Sequence, residues 1–291
     1  MKRLKFYIIS GIALLLLVIV NIVEKPTAKV EEVKDTVVTK LNTEEKMAEI
    51  DGQTIYFKQI SEGKPPLLML HGFGGSSDGF RDIYPELAKD HTIIAVDILG
   101  FGRSSKPMDF QYSFPVQANL YYKLMKKLGY DQFAVLGHSM GGEISLNLTY
   151  LYPEAITHLI LADSTGIESF RQKGDTQKPK LSADINTVST ITDYDKNEVK
   201  NRRDDKEHYR ELTKMRERRI VMDADAIQVP TLIIWGRNDK SVPWKNGETY
   251  HQLFKNSTFH IIEKGYHAPF RQEPEEFMGY VQAFFEKHAN H

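Results

Sequence analysis

The chain has 291 residues, 41% hydrophobic and 26% charged, with 38 basic and 39 acidic side chains and a net charge of −1. That balance fits one large domain or two small ones, and it gives nucleic acid or another polyanion no electrostatic reason to bind. There is no cysteine, which excludes disulfides, thiolate metal sites and cysteine nucleophiles.

Lys2, Arg3 and Lys5 precede an uncharged run from Phe6 to Val23 in which only Ser10 and Asn21 are polar. Such a run is long enough for a short membrane-spanning helix, and its basic flank should stay in the cytoplasm. Residues 1–23 are therefore expected to be a membrane anchor, single-pass in the cell membrane, with the rest of the chain outside the cytoplasm. A cleaved signal sequence, giving a secreted protein, is the competing reading; no good small-x-small cleavage site precedes Glu24. Residues 24–45 are polar, with Val30, Val33, Val37 and Leu41 at helical spacing, and are expected to be a linker.

A globular domain is expected over 46–291. Met47–Ile50 and Thr54–Phe57 flank Asp51-Gly52, a hairpin signal. Apolar runs then alternate with helical patterns. The runs lie at 67–70, 92–96, 133–136, 159–161, 231–235 and 259–262, and the helices at 77–89, 114–129, 140–152, 245–254 and 273–287. Runs without polar alternation predict strands buried on both faces, and strand–helix alternation predicts a parallel sheet covered by helices.

Five loops follow strand ends and carry candidate chemistry. His71-Gly72-Phe73-Gly74-Gly75 follows the first run. It lacks the Lys-Ser/Thr ending of a phosphate-binding loop. Asp97 to Ser104 reads as a turn tied by Asp97 and Arg103. Gly137-His138-Ser139-Met140-Gly141 fits G-x-S-x-G between a strand and a helix, the layout of a nucleophile elbow. Glycines flank the serine because the turn leaves no room for side chains. Ser139 is the candidate nucleophile, and the amide of Met140 the first oxyanion donor; the amide of Phe73 is the second.

A serine hydroxyl needs a base, and the base a third group to fix its tautomer. Asp239, in Trp235-Gly236-Arg237-Asn238-Asp239, is the preferred acid; Asp163, after the run 159–161, competes for the role. His267, in Gly265-Tyr266-His267-Ala268-Pro269, is the candidate base. His71 and His138 are read as structural. No cluster has metal-ligand spacing, and no cofactor is expected. The stretch from Arg171 to Arg219 breaks the rhythm with dense charge of both signs, and reads as an inserted helical lid or a solvated excursion.

Taken in order, HGFGG at 71–75, DILGFGRS at 97–104, GHSMGG at 137–142, WGRND at 235–239 and GYHAP at 265–269 resemble the α/β-hydrolase fold superfamily. Within it the chain looks most like serine esterases and lipases and their membrane-anchored monoacylglycerol-lipase-like relatives. The resemblance implies an eight-stranded, mostly parallel sheet with helices on both faces. It also implies a cap inserted between strands six and seven, here over 170–226. Epoxide hydrolases and dehalogenases carry Asp at the elbow, so Ser139 argues against them. The expected activity is cofactor-free cleavage of a small-molecule carboxylic ester. The same triad could serve carbon–carbon, amide or perhydrolase chemistry, or the fold could persist as a membrane-tethered binding protein without activity. The charged cap argues against a long-chain substrate.

Overall fold

A computed structural model describes residues 41–170, 191–193 and 206–289. The expected anchor and most of the linker lie outside them, as does much of the cap. Among the described residues no helix is long and apolar enough to cross a membrane.

One mixed sheet organises the domain. Its strands are β1 (Thr43–Ile50), β2 (Gln53–Ile60), β3 (Pro66–Leu70), β4 (Thr92–Val96), β5 (Phe133–His138), β6 (Ile156–Ala162), β7 (Ile191–Asp193), β8 (Thr231–Gly236) and β9 (Ser257–Ile262). The spatial order is β7-β1-β2-β4-β3-β5-β6-β8-β9. From β4 to β9 every neighbour pairs in parallel, while β7, β1 and β2 form the antiparallel edge. The β1–β2 hairpin turns on Asp51 and Gly52, whose φ angles of 50° and 74° match the positive pair that a two-residue turn requires.

The expected eight-stranded, mostly parallel sheet is present with one addition, and two expected boundaries need correction. The sheet has eight main strands plus a ninth, β7, contributed by the inserted segment and paired to Met47 and its neighbours on β1. Three residues carry too little pattern to be seen in sequence. The domain also begins earlier than Lys46, because pairing with β2 extends β1 back to Thr43. Finally, the helix expected over 77–89 is two short pieces, a 3-10 turn at Ser77–Phe80 and α1 (Tyr84–Leu87). Pro85 has no N–H to donate to the preceding turn, so it begins a new helix rather than continuing one.

Alternation along each strand sends side chains to two separate cores. Leu68, Leu70, Ile94, Val96, Val135, Leu159, Leu161 and Ile233 meet α2 (Phe114–Lys127) and α3 (Met140–Leu151) on one face. Leu67, Met69, Ile93, Leu136, Ile160 and Ile234 meet α1 and the C-terminal helix on the other. Each such side chain, fully buried, contributes about 1.5–3 kcal/mol. Ser113 caps α2 by accepting from the Val116 amide at 3.3 Å.

The remaining helices are α4 (Lys206–Thr213), α5 (Lys245–Leu253), α6 (Pro269–Gln272) and α7 (Pro274–Lys287). In the described part of the insertion, α4 and the 3-10 turn after it bury Leu212 and Met215 against the first core. His208 anchors that turn through a 2.7 Å contact between Nε2 and the Gly100 carbonyl. The parallel strands thus point their carboxyl ends, and the loops that follow them, toward the insertion, where such sheets place ligands.

Candidate active site

The elbow between β5 and α3 holds Ser139 at φ 53° and ψ −117°, a conformation that costs a non-glycine residue about 1–3 kcal/mol. Hydrogen bonds over-determine it. The Ser139 amide donates to the Ala162 carbonyl at 3.0 Å, and its own carbonyl accepts from Gly142 at 3.0 Å and Thr165 at 3.1 Å. The flanking glycines are forced by crowding. A Cβ on Gly141 would collide with the Leu70 carbonyl, and one on Gly137 with the Gly141 carbonyl.

His267 comes from the loop after β9. Its Nε2 lies 3.0 Å from Ser139 Oγ, and its Nδ1 lies 2.7 Å from Asp239 Oδ2. That chain of contacts sets the neutral tautomer: Nδ1–H donates to the carboxylate, leaving Nε2 to accept the serine proton. Asp239 is itself oriented, since its Oδ1 accepts from the amides of Ser241 at 2.7 Å and Val242 at 3.0 Å. The loop is pinned in turn by buried Trp235, whose Nε1–H donates to the Val242 carbonyl at 3.0 Å. Burial alone would raise the Asp239 carboxyl, but His267 and the two amides hold it below the usual carboxylate range.

Asp163 lies behind this relay, with its side chain against Asp239. Its Oδ1 accepts from the Gly236 amide at 2.9 Å, and it is completely buried at φ 45°. Burial above all, with the charge of Asp239 and a hydrogen bond to it adding, pushes its carboxyl well above the normal range, which favours its protonated form. Of the two candidate acids, the structure brings only Asp239 into hydrogen-bond contact with His267 among the described residues.

The two other histidines of the motifs support the backbone. His71 Nδ1–H donates to the Gly72 carbonyl at 2.7 Å, and its Nε2 accepts from the Ile98 amide at 2.9 Å, fixing the Phe73 loop to the strand-end turn beside it. His138 donates its Nε2–H to the carbonyl of His267, so the residue before the nucleophile holds the base's backbone. Burial, with His267 nearby, pulls its pKa down to about 3. Asp97 gathers Ser77 and Arg103, with the Arg103 Nε contact at 2.8 Å, as the turn reading expects.

Met140 and Phe73, the expected oxyanion donors, line one cavity with Ser139. The Met140 amide opens α3, where a helix has no internal acceptor for its first N–H groups. The cavity holds about 120 Å³, and its other walls are Phe114, Thr165, Leu212, Thr213, Met215 and Arg216. A larger cavity of about 680 Å³ lies at the opposite, amino end of the strands, against Pro66, Phe133 and Phe285, away from all these groups.

Sequence spacing gave no hint of Glu143 or Arg219. Glu143, fully buried on α3, takes Arg219 Nε at 2.5 Å and Nη2 at 3.0 Å, and accepts from Thr165 Oγ1 at 2.8 Å. The pair ties the base of the insertion to the elbow helix. The one available signal was a carboxylate followed by an uncharged run, Ile144 to Thr149.

Buried neutral histidines make stability fall in acid. Burial lowers the pKa of His71, His91, His138 and His260 in the folded state, while in the unfolded chain each titrates near about 6.5. The unfolded state therefore binds more protons, and stability present above pH about 6.5 is lost below it, at up to about 1.4 kcal/mol per pH unit for each histidine. Asp163, raised by burial, works in the opposite direction but counts for one proton against four. The urea midpoint should be lower at pH 5.5 than at pH 7.5; an equal or higher midpoint at pH 5.5 would contradict the buried-neutral assignment.

Known proteins resemble this chain in sequence and fold. The family model of the alpha/beta hydrolase fold matches residues 65–182 and 171–274. The uncharacterized hydrolase YugF of Bacillus subtilis is 26% identical over 261 residues, covering 81% of this chain and 95% of that protein. Lipase 1 of Psychrobacter immobilis is 27% identical over 254 residues, covering 79% of this chain and 80% of the lipase. The crystal structure of a bacterial membrane phospholipase A superposes with a TM-score of 0.68 at 22% identity, covering all of both chains, a likeness of fold. With the family model spanning the elbow, the acid loop and the base loop, the chain belongs to the alpha/beta hydrolase fold family and is a hydrolase.

Proposed function

We propose that this hydrolase cleaves carboxylic esters through a covalent acyl-enzyme on Ser139. The observation that carries the reading is the unbroken relay Ser139 Oγ–His267 Nε2–Asp239, at 3.0 and 2.7 Å. Ser139 Oγ attacks the ester carbonyl while His267 Nε2 takes its proton. The amides of Met140 and Phe73 hold the resulting oxyanion, the larger electrostatic share of such catalysis. His267 returns the proton to the departing alcohol. Water, deprotonated by the same nitrogen, then releases the acid and regenerates Ser139. Asp239 keeps Nδ1–H in place and stabilises the imidazolium. These steps draw on no cofactor.

The small cavity beside Ser139 favours a short acyl group, because sites for larger ligands run about 300–1,000 Å³. Purified protein mixed with p-nitrophenyl acetate should release a burst of about one p-nitrophenol per active site before the steady rate, the mark of an accumulating acyl-enzyme. Absence of hydrolysis over the whole p-nitrophenyl series would overturn the proposal.

A further inference from the structure

We infer that Arg216 is a specificity residue, reading an anionic group on the substrate; the inference rests on the ester-hydrolase reading of the same site. The cavity beside Ser139 has an apolar floor, made by Leu212 and Met215, each 1% exposed. Its insertion-side rim is different. Thr213 and Arg216 line it, both exposed and one helical step apart, so they share a face.

The other cations of this turn are committed to protein acceptors. Lys214 pairs with Glu211, Arg218 Nη1 donates to the Tyr112 carbonyl at 2.9 Å, and Arg219 clasps Glu143. Arg216 makes no ion pair among the described residues, although it borders the cavity that holds the nucleophile. A neutral ester offers a guanidinium there no charged partner. A carboxylate or phosphate on the substrate would give its planar fork a charge-assisted, two-point partner. The turn that carries Arg216 is fixed from both sides, by Leu212 and Met215 in the core and by Arg219 on Glu143, so the guanidinium is presented on a supported element rather than a loose loop.

The substrate class assigned is a short ester with an anionic group on its acyl or its alcohol part. Three esters separate the cases in the full-length protein. p-Nitrophenyl valerate is neutral, mono-p-nitrophenyl glutarate carries its carboxylate on the acyl side, and 4-acetoxybenzoate carries it on the leaving group. The full-length protein should have a kcat/KM for one anionic ester about tenfold above that of a neutral ester of the same shape. Arg216→Gln should erase that preference through KM while leaving p-nitrophenyl valerate within about twofold; Arg216→Lys should restore part of it. Raised salt should shrink the preference in the native protein and leave the Gln variant flat. A wild-type protein indifferent to substrate charge, or a preference that survives Arg216→Gln, overturns the inference. Failure of the wild type to hydrolyse any of the three esters would instead count against the ester-hydrolase reading.

Discussion

Replacing Ser139 by Ala should lower kcat for p-nitrophenyl esters by about 10⁶-fold, with the folded protein intact. The magnitude follows from the nucleophile and base acting as one unit, so that losing the hydroxyl loses the covalent route altogether. The residue that remains faces the same backbone conformation, φ 53°, and the Ser139 side chain makes no helix-capping bond that alanine would forfeit. The urea midpoint should therefore hold. A variant that folds and retains more than about a thousandth of the rate would mean that another group attacks the ester.

The second large effect separates two carboxyls. Asp239→Asn should cost about 10⁴-fold in kcat near neutral pH, because an amide beside Nδ1 favours the wrong imidazole tautomer and cannot stabilise the imidazolium. Asp163→Asn should change kcat by less than about threefold. Burial favours the neutral carboxyl of Asp163, which an amide of the same shape mimics, and its oxygen can still accept from the Gly236 amide. Steady-state kinetics of the two variants decide the assignment. Equal losses, or a larger loss at Asp163, would transfer the orienting role to it.

The contrast between these acids marks where the sequence stops being readable. Both follow a parallel strand, and both stand in chain order between the serine and the histidine. What separates them is a pair of amides, at Ser241 and Val242, that aim one oxygen of Asp239 inward and leave the other for His267. Those bonds depend on how the loop closes under Trp235, which no spacing rule encodes. The elbow was legible for the opposite reason. Its glycines answer to contacts within the motif and with the neighbouring strand end, so local crowding writes them into the chain.

Buried strands such as Thr92–Val96 were equally plain, since all five residues are covered and all read as one uninterrupted run. The Glu143–Arg219 clasp was not, because its partners lie 76 positions apart and meet only when the insertion folds back. Nor was β7, whose pairing is set by the open edge of β1 more than by its own three residues. Arg216 belongs to the same class. In sequence it is one of several charges between Lys214 and Arg219, and only the commitments of its neighbours single it out.

The account stands on the hydroxyl at 139 being the atom that becomes acylated. Treating the folded, full-length protein with a fluorophosphonate, digesting it and locating the adduct by mass spectrometry tests that directly. The expected result is a single phosphonylated serine, Ser139, with no adduct in protein unfolded before treatment. An adduct on a different side chain, or a folded protein that the reagent leaves unmodified, would contradict it.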